Sequence, residues 1–201
     1  MAINLQRSQR VNLTQRNPGL SEIIVSLGWN PVLNNGGLFG ALFGIGDLPN
    51  IDCDASVIML GKNDRLLQNK DVIYFGNLSS HDGSVQHSGD SLTGSEEGED
   101  ECIKIDLNKV PSTIQKLVFV VTIYEPIKRQ QHFGMIKNAF IKIVNATNQQ
   151  ELLHFNITED FAEKTSLLVG ELYRDETSWK FSAIGEGIRA ANLSEVVRIY
   201  G

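Results

Sequence analysis

Residues 116–124 read Lys-Leu-Val-Phe-Val-Val-Thr-Ile-Tyr. Three valines, an isoleucine and a threonine in nine positions lose side-chain freedom in a helix and pack well on a pleated surface. An almost unbroken apolar run of this kind marks a central strand, so the chain must build a sheet around it. Shorter strand-like runs occupy residues 11–14, 23–27, 55–60, 71–75, 103–107, 139–144, 151–155, 166–173 and 179–184. Gly28-Trp29-Asn30-Pro31 is expected to break the second of these. Polar connections of hairpin size at 145–150 and 174–178 join neighbouring runs. Helical signals are few. Pro126 to Gln131 reads as one turn, and Leu193, Val196, Val197 and Tyr200 fall at helical spacing near the C-terminus. Many short strands with polar turns imply a sandwich or a barrel.

The chain has 201 residues, a length that suits one domain over residues 1–201. It buries enough surface to fold without disulfides, and two cysteines, Cys53 and Cys102, are too few for a secreted framework. The first residues carry no apolar stretch of a secretory signal, which points to the cytoplasm. No run approaches the roughly 20 apolar residues of a membrane span. Residues 34–50 are rich in glycine, leucine and phenylalanine. Their glycines oppose a helix, so this stretch reads as a flexible loop tucked against the domain. A second reading makes Leu38, Phe39, Leu42 and Phe43 a sticky segment that touches a membrane surface or a partner.

Charge is informative because of where it sits. The formal net charge is −6, and Asp90, Glu96, Glu97, Glu99, Asp100 and Glu101 account for all of it. Outside that segment acids and bases balance at 18 each. No basic stripe is present to neutralise phosphates, so nucleic acid is not an expected partner. Two carboxylates about 4 Å apart repel by roughly 4 kcal/mol at an effective dielectric near 20, so six folded inward need a counter-cation. Calcium takes six to eight hard oxygens from carboxylates, main-chain carbonyls and water, and Gly89, Gly94 and Gly98 let the backbone turn its carbonyls inward. The bland alternative is a solvated acidic loop.

Asp90 and Glu101 stand as far apart as the ends of an EF-hand loop, yet that template fails. Its third and fifth positions would be Leu92 and Gly94, and its obligatory glycine would be Ser95. Further oxygens come within reach from Asp52 and Asp54 at the start of a strand, and from Asn77 and Asp82 in the polar stretch 76–101. Asp82-Gly83 is also a plain turn signal. His81 and His87 read as exposed loop residues, and with Cys53 and Cys102 they match no zinc spacing. No Gly-x-Ser-x-Gly elbow, phosphate-binding loop or His-Glu-x-x-His is present, so the chain does not read as an enzyme. Glu125 and Arg129 are four apart and are expected to pair on a helical turn. His132, His154, Trp29 and Trp179 read as packing or surface residues.

Gly89-Asp-Ser-Leu-Thr-Gly94 followed by Gly98-Glu-Asp-Glu101 resembles the hallmark of the TerD family of tellurium-resistance and stress-response proteins. Gln9-Arg-Val-Asn-Leu-Thr14, Gly28-Trp-Asn30, Asp52-Cys-Asp-Ala-Ser56, Ser80-His-Asp-Gly-Ser-Val85, Asn138-Ala-Phe-Ile141 and Gly170-Glu-Leu-Tyr-Arg174 follow in the family's order. The resemblance spans nearly the whole chain. It implies a mainly all-β fold: a β-sandwich of two mostly antiparallel sheets, a few short helices and a C-terminal helix. It also implies calcium, two ions, in clustered acidic loops. The implied function is a non-catalytic binding or scaffolding module of the cytoplasmic response to tellurite and other chemical stress. Other stress-response proteins are the implied partners, with a place at the inner face of the membrane. The corresponding metal set is Asp52, Asp54, Asn77, Asp82, Asp90, Leu92, Gly94, Glu96, Glu99, Asp100 and Glu101. Ser91, Glu96 and Glu99 depart from the family's usual Asn, Gly and Asp, which leaves the ligand list open. A metal-dependent small-molecule receptor or enzyme, with His81 or His87 as base, and a membrane-surface adaptor through residues 36–46 are the alternatives.

Overall fold

A computed structural model describes residues 2–31, 51–89, 101–157 and 161–201. Among them two six-stranded sheets form. The first contains β1 (Ile3–Leu5), β3 (Glu22–Pro31), β6 (Val85–His87), β7 (Glu101–Asp106), β9 (Ile136–Asn145) and β10 (Glu151–Ile157), in the order β1-β10-β9-β3-β7-β6. The second contains β2 (Arg10–Asn12), β4 (Cys53–Leu60), β5 (Val72–Ile73), β8 (Lys116–Ile123), β11 (Ser166–Asp175) and β12 (Ser178–Ile188), in the order β2-β12-β11-β8-β4-β5. Every pairing is antiparallel except β1 with β10. The architecture is the expected sandwich rather than a barrel.

The opening run becomes β8, an inner strand between β4 and β11. Its apolar continuity has a simple cause: both of its faces are covered. Leu117, Phe119, Val121 and Ile123 point into the core between the sheets. Val118 and Val120 face outward and pack with Ile58, Leu60, Val72 and Val196, the last from the C-terminal helix Leu193–Val197. That helix is capped by Asn192, whose side chain accepts from the Glu195 amide. The outer cover is incomplete, and towards the N-terminal end of β4 it gives way to polar residues.

Several local expectations change. Residues 13–14 leave the sheet, because the Asn12 side chain accepts from the Gln15 amide and starts a short helix, Leu13–Arg16. Gly28 to Pro31 does not end its strand: β3 runs through Pro31 with a register shift between Gly28 and Asn30. The strand expected over 71–75 shortens to Val72–Ile73. Glu125 pairs with Lys128 at 2.9 Å, whereas Arg129 lies 3.7 Å from Asp52 and over the Tyr124 ring. Glu125 adopts a left-handed conformation just before the turn, which takes it off the helical face that an (i, i+4) pair requires. Residues 34–50, read as a flexible loop or as a sticky segment through 36–46, lie outside the described residues. No helix among the described residues is long and apolar enough to cross a membrane.

Candidate functional site

The polar stretch after residue 76 is not without structure. Asp82-Gly83 turns the chain with Gly83 at φ +69°, and Asp82 Oδ1 accepts from the Ser84 amide at 2.8 Å and the Ser80 hydroxyl at 3.1 Å. Burial works to raise the Asp82 carboxyl, but these hydrogen bonds outweigh it and hold the group below its usual range. Around this turn the Ser80 amide donates to Val85 and the His87 amide to Leu78. The second arm is β6, which then pairs with β7 in register Val85↔Ile105 and His87↔Ile103.

The acidic segment therefore connects two paired strands, and the residues that flank it are hydrogen-bonded to each other. The Ser88 amide donates to the Cys102 carbonyl at 2.9 Å, and the Cys102 amide to the Ser88 hydroxyl at 3.2 Å. Asp90, Leu92, Gly94, Glu96, Glu99 and Asp100 lie outside the described residues. Glu101 is described, and alternation along β7 turns its carboxylate inward with Ile103 and Ile105. It is only 2% exposed.

Glu101 and His87 together complete an edge of the opposite sheet. β5 pairs with β4 only at Val57 and Ile58, so the Ala55 main chain extends past the end of its neighbour. The Ala55 amide donates to Glu101 Oε2 at 2.5 Å, and the Ala55 carbonyl lies 3.1 Å from His87 Nε2. Two side chains of the first sheet thus replace the missing strand residues of the second. The Gly89 amide donates to His87 Nδ1 at 3.0 Å, which fixes the neutral ring with its proton on Nε2. That proton faces both the Ala55 carbonyl and Glu101, whose Oε2 is 3.4 Å away. Burial lowers the basicity of His87, but the Glu101 hydrogen bond and charge, the Ala55 carbonyl and the Asp54 charge outweigh it and raise the imidazole.

His87 is the residue that sequence reasoning misplaced: it is 6% exposed, not a loop residue in solvent. The available signal was the apolar-polar alternation Val85-Gln86-His87 directly after an Asp-Gly turn, which reads as the second arm of a hairpin. His81 is exposed as expected. Cys53 lies in the core between the sheets, and the Cys102 sulfur sits 3.4 Å from the Ser26 hydroxyl.

The other described candidates have separate duties. The Asp52 carboxylate faces Arg129, and the Asp52 carbonyl accepts from the Tyr124 amide. Asn77 uses its amide group to donate to the Val72 and Lys70 carbonyls. Asp54 is nearly buried and lines a cavity on the outer face of the second sheet. Among the described residues no three His, Cys, Asp or Glu side chains converge into a cluster that could hold a metal ion. Glu101 and Asp54 offer hard oxygens of the right chemistry for calcium, and a complete shell would draw on residues 90–100.

The TerD domain family model matches residues 1–200. The stress response protein SCP2 of Bacillus subtilis (strain 168) is 51% identical over 200 residues, 100% of each chain. The tellurium resistance protein TerD of Serratia marcescens is 39% identical, across 100% of this chain and 98% of its own. Chemical-damaging agent resistance protein B of Clostridium acetobutylicum is 42% identical across 65% of this chain and 94% of its own. A crystal structure of a homologue of the telluride resistance protein TerD from Streptomyces coelicolor A3(2) superposes with a TM-score of 0.62 at 21% identity, covering 88% of this chain and 98% of that one, a likeness of fold. With the family's sequence pattern running from end to end on a two-sheet sandwich, the chain belongs to the TerD domain family of tellurium-resistance and stress-response proteins.

Proposed function

We propose that this protein is a calcium-binding, non-catalytic module of the cytoplasmic response to tellurite and other chemical stress. Its ion-ordered acidic loop would present a surface to other stress-response proteins. The observation that carries the reading is Glu101. Its carboxylate is withdrawn from water at the root of a segment holding five further acids, and no described lysine or arginine pairs with it. A buried carboxylate whose partners among the described residues are one amide and one imidazole is poorly compensated, and a divalent cation at the loop would supply the missing charge. Asp90, Glu96, Glu99, Asp100 and Glu101 would hold the ion or ions, with Asp54 as a further oxygen donor. Bound calcium would supply charge neutralisation and order.

His87 favours this reading over a metal-dependent enzyme. Both of its ring nitrogens are engaged, one by an amide and one by a carbonyl and a carboxylate, so it is poorly placed to take a proton from a substrate.

The test is thermal unfolding in chelator and in millimolar calcium. Calcium at a hundred times its dissociation constant stabilises by about 2.7 kcal/mol. For a chain of this size that raises the midpoint by roughly 5–11 °C. Asp90→Asn with Asp100→Asn should abolish the shift. An unchanged midpoint in the parent protein would refute calcium binding.

A further inference from the structure

The outer face of the second sheet carries a cavity of about 650 Å³, within the usual range for small-molecule sites. Its floor is the polar end of two neighbouring strands. Asp54 of β4 pairs across the ladder with Thr122 of β8, and Ser56 follows on the same face of β4. All three are buried. Further along the same strands the outward positions are Ile58, Leu60, Val118 and Val120, packed under the C-terminal helix. The change from apolar to polar therefore coincides with the place where the helix stops covering the sheet.

Ser56 is the anomaly. Its residue is 1% exposed, and its hydroxyl makes no hydrogen bond although it lines the cavity. A buried hydroxyl without a partner is destabilising by about 1–3 kcal/mol, and few native groups are left in that state. Phe75 and Tyr124 line the cavity while 45% and 46% exposed, beside the partly buried Tyr74.

We infer that this cavity binds a small organic cation, a primary ammonium ion on a body with an apolar face. The floor residues carry two hydroxyls and a carboxylate. An ammonium carries three donors and no acceptor, which suits a floor built from Asp54, Ser56 and Thr122. The aromatic wall takes the apolar body. Arg198, on the helical wall, is the cavity's basic residue and would meet a carboxylate at the other end of a zwitterion. Free amines and amino acids share the chemistry that the floor recognises, and experiment separates them.

The inference goes beyond the calcium reading, but Asp54 belongs to both. Ser56 belongs to the cavity alone, so it is the residue to change. Full-length protein would be titrated with 2-phenylethylamine, L-phenylalanine and 2-phenylethanol, once in chelator and once with saturating calcium, with amide NMR shifts followed. Binding of the amine or the amino acid, with shifts at residues 54–56, 72–75 and 122–125 and the alcohol at least about tenfold weaker, supports the site. A tighter amino acid than amine assigns the second contact to Arg198. Ser56→Ala should weaken the amine about three- to tenfold without lowering the unfolding midpoint, because the hydroxyl makes no bond in the free protein. Amine and alcohol binding equally, no binding by any probe, shifts elsewhere, or a Ser56→Ala protein that binds as the parent does would each overturn it. Loss of the calcium response with amine binding retained would refute the calcium reading alone.

Discussion

Glu101→Ala tests the bridge between the sheets directly. In the parent protein Glu101 Oε2 accepts from Ala55 and faces the His87 proton. Truncation removes a charge-assisted hydrogen bond worth about 1.5–3 kcal/mol and leaves the Ala55 amide buried without its acceptor, about 1–3 kcal/mol more. Two effects oppose this loss. The desolvation of the carboxylate disappears, and His87 keeps the Ala55 carbonyl as an acceptor. The net expectation is a destabilisation of roughly 2–3 kcal/mol, or about 4–12 °C in midpoint for a chain of this length. Glu101→Gln keeps an oxygen for the Ala55 amide and should recover roughly 1 kcal/mol of the loss. Urea unfolding in chelator measures both variants with any metal effect removed, and the denaturant slope should not change. A Glu101→Ala protein within about 0.5 kcal/mol of the parent would show that the side chain does not hold the edge of β4.

Asp82 and Val196 give two further expected outcomes. The Asp82 carboxyl is held below the usual aspartate range by the hydrogen bonds of its own turn. A depressed folded value means that this contribution is complete above the unfolded value and is lost as pH falls through the folded one. Acid unfolding of the parent and of Asp82→Asn should therefore diverge as pH falls below about 5, the parent losing more; parallel curves would refute the assignment. Val196→Ala at the centre of the outer apolar cluster should destabilise by about 1–3 kcal/mol, measured by urea unfolding, and a neutral result would mean that the C-terminal helix does not seal the sheet.

The sequence alone determined the strand content, the buried strand β8 and the position of the acidic segment. Each is written in local side-chain chemistry: β-branched runs, Asp-Gly turns and a density of carboxylates. The family was legible for the same reason, since its motifs are short and contiguous. Tertiary structure decided what those pieces meet. Nothing local in Val85-Gln86-His87 states that its imidazole will close an edge of the opposite sheet, because the Ala55 groups it serves lie 32 residues away. Glu125 and Arg129 have the spacing of a helical pair, but a left-handed Glu125 and a nearby Asp52 redirect them. Asp52 and Asp54 look alike in sequence, yet one meets Arg129 beside the Tyr124 ring and the other joins Ser56 and Thr122 on a cavity floor. Burial and pairing between sheets depend on packing distant segments, and that is the information a local reading of residues does not contain.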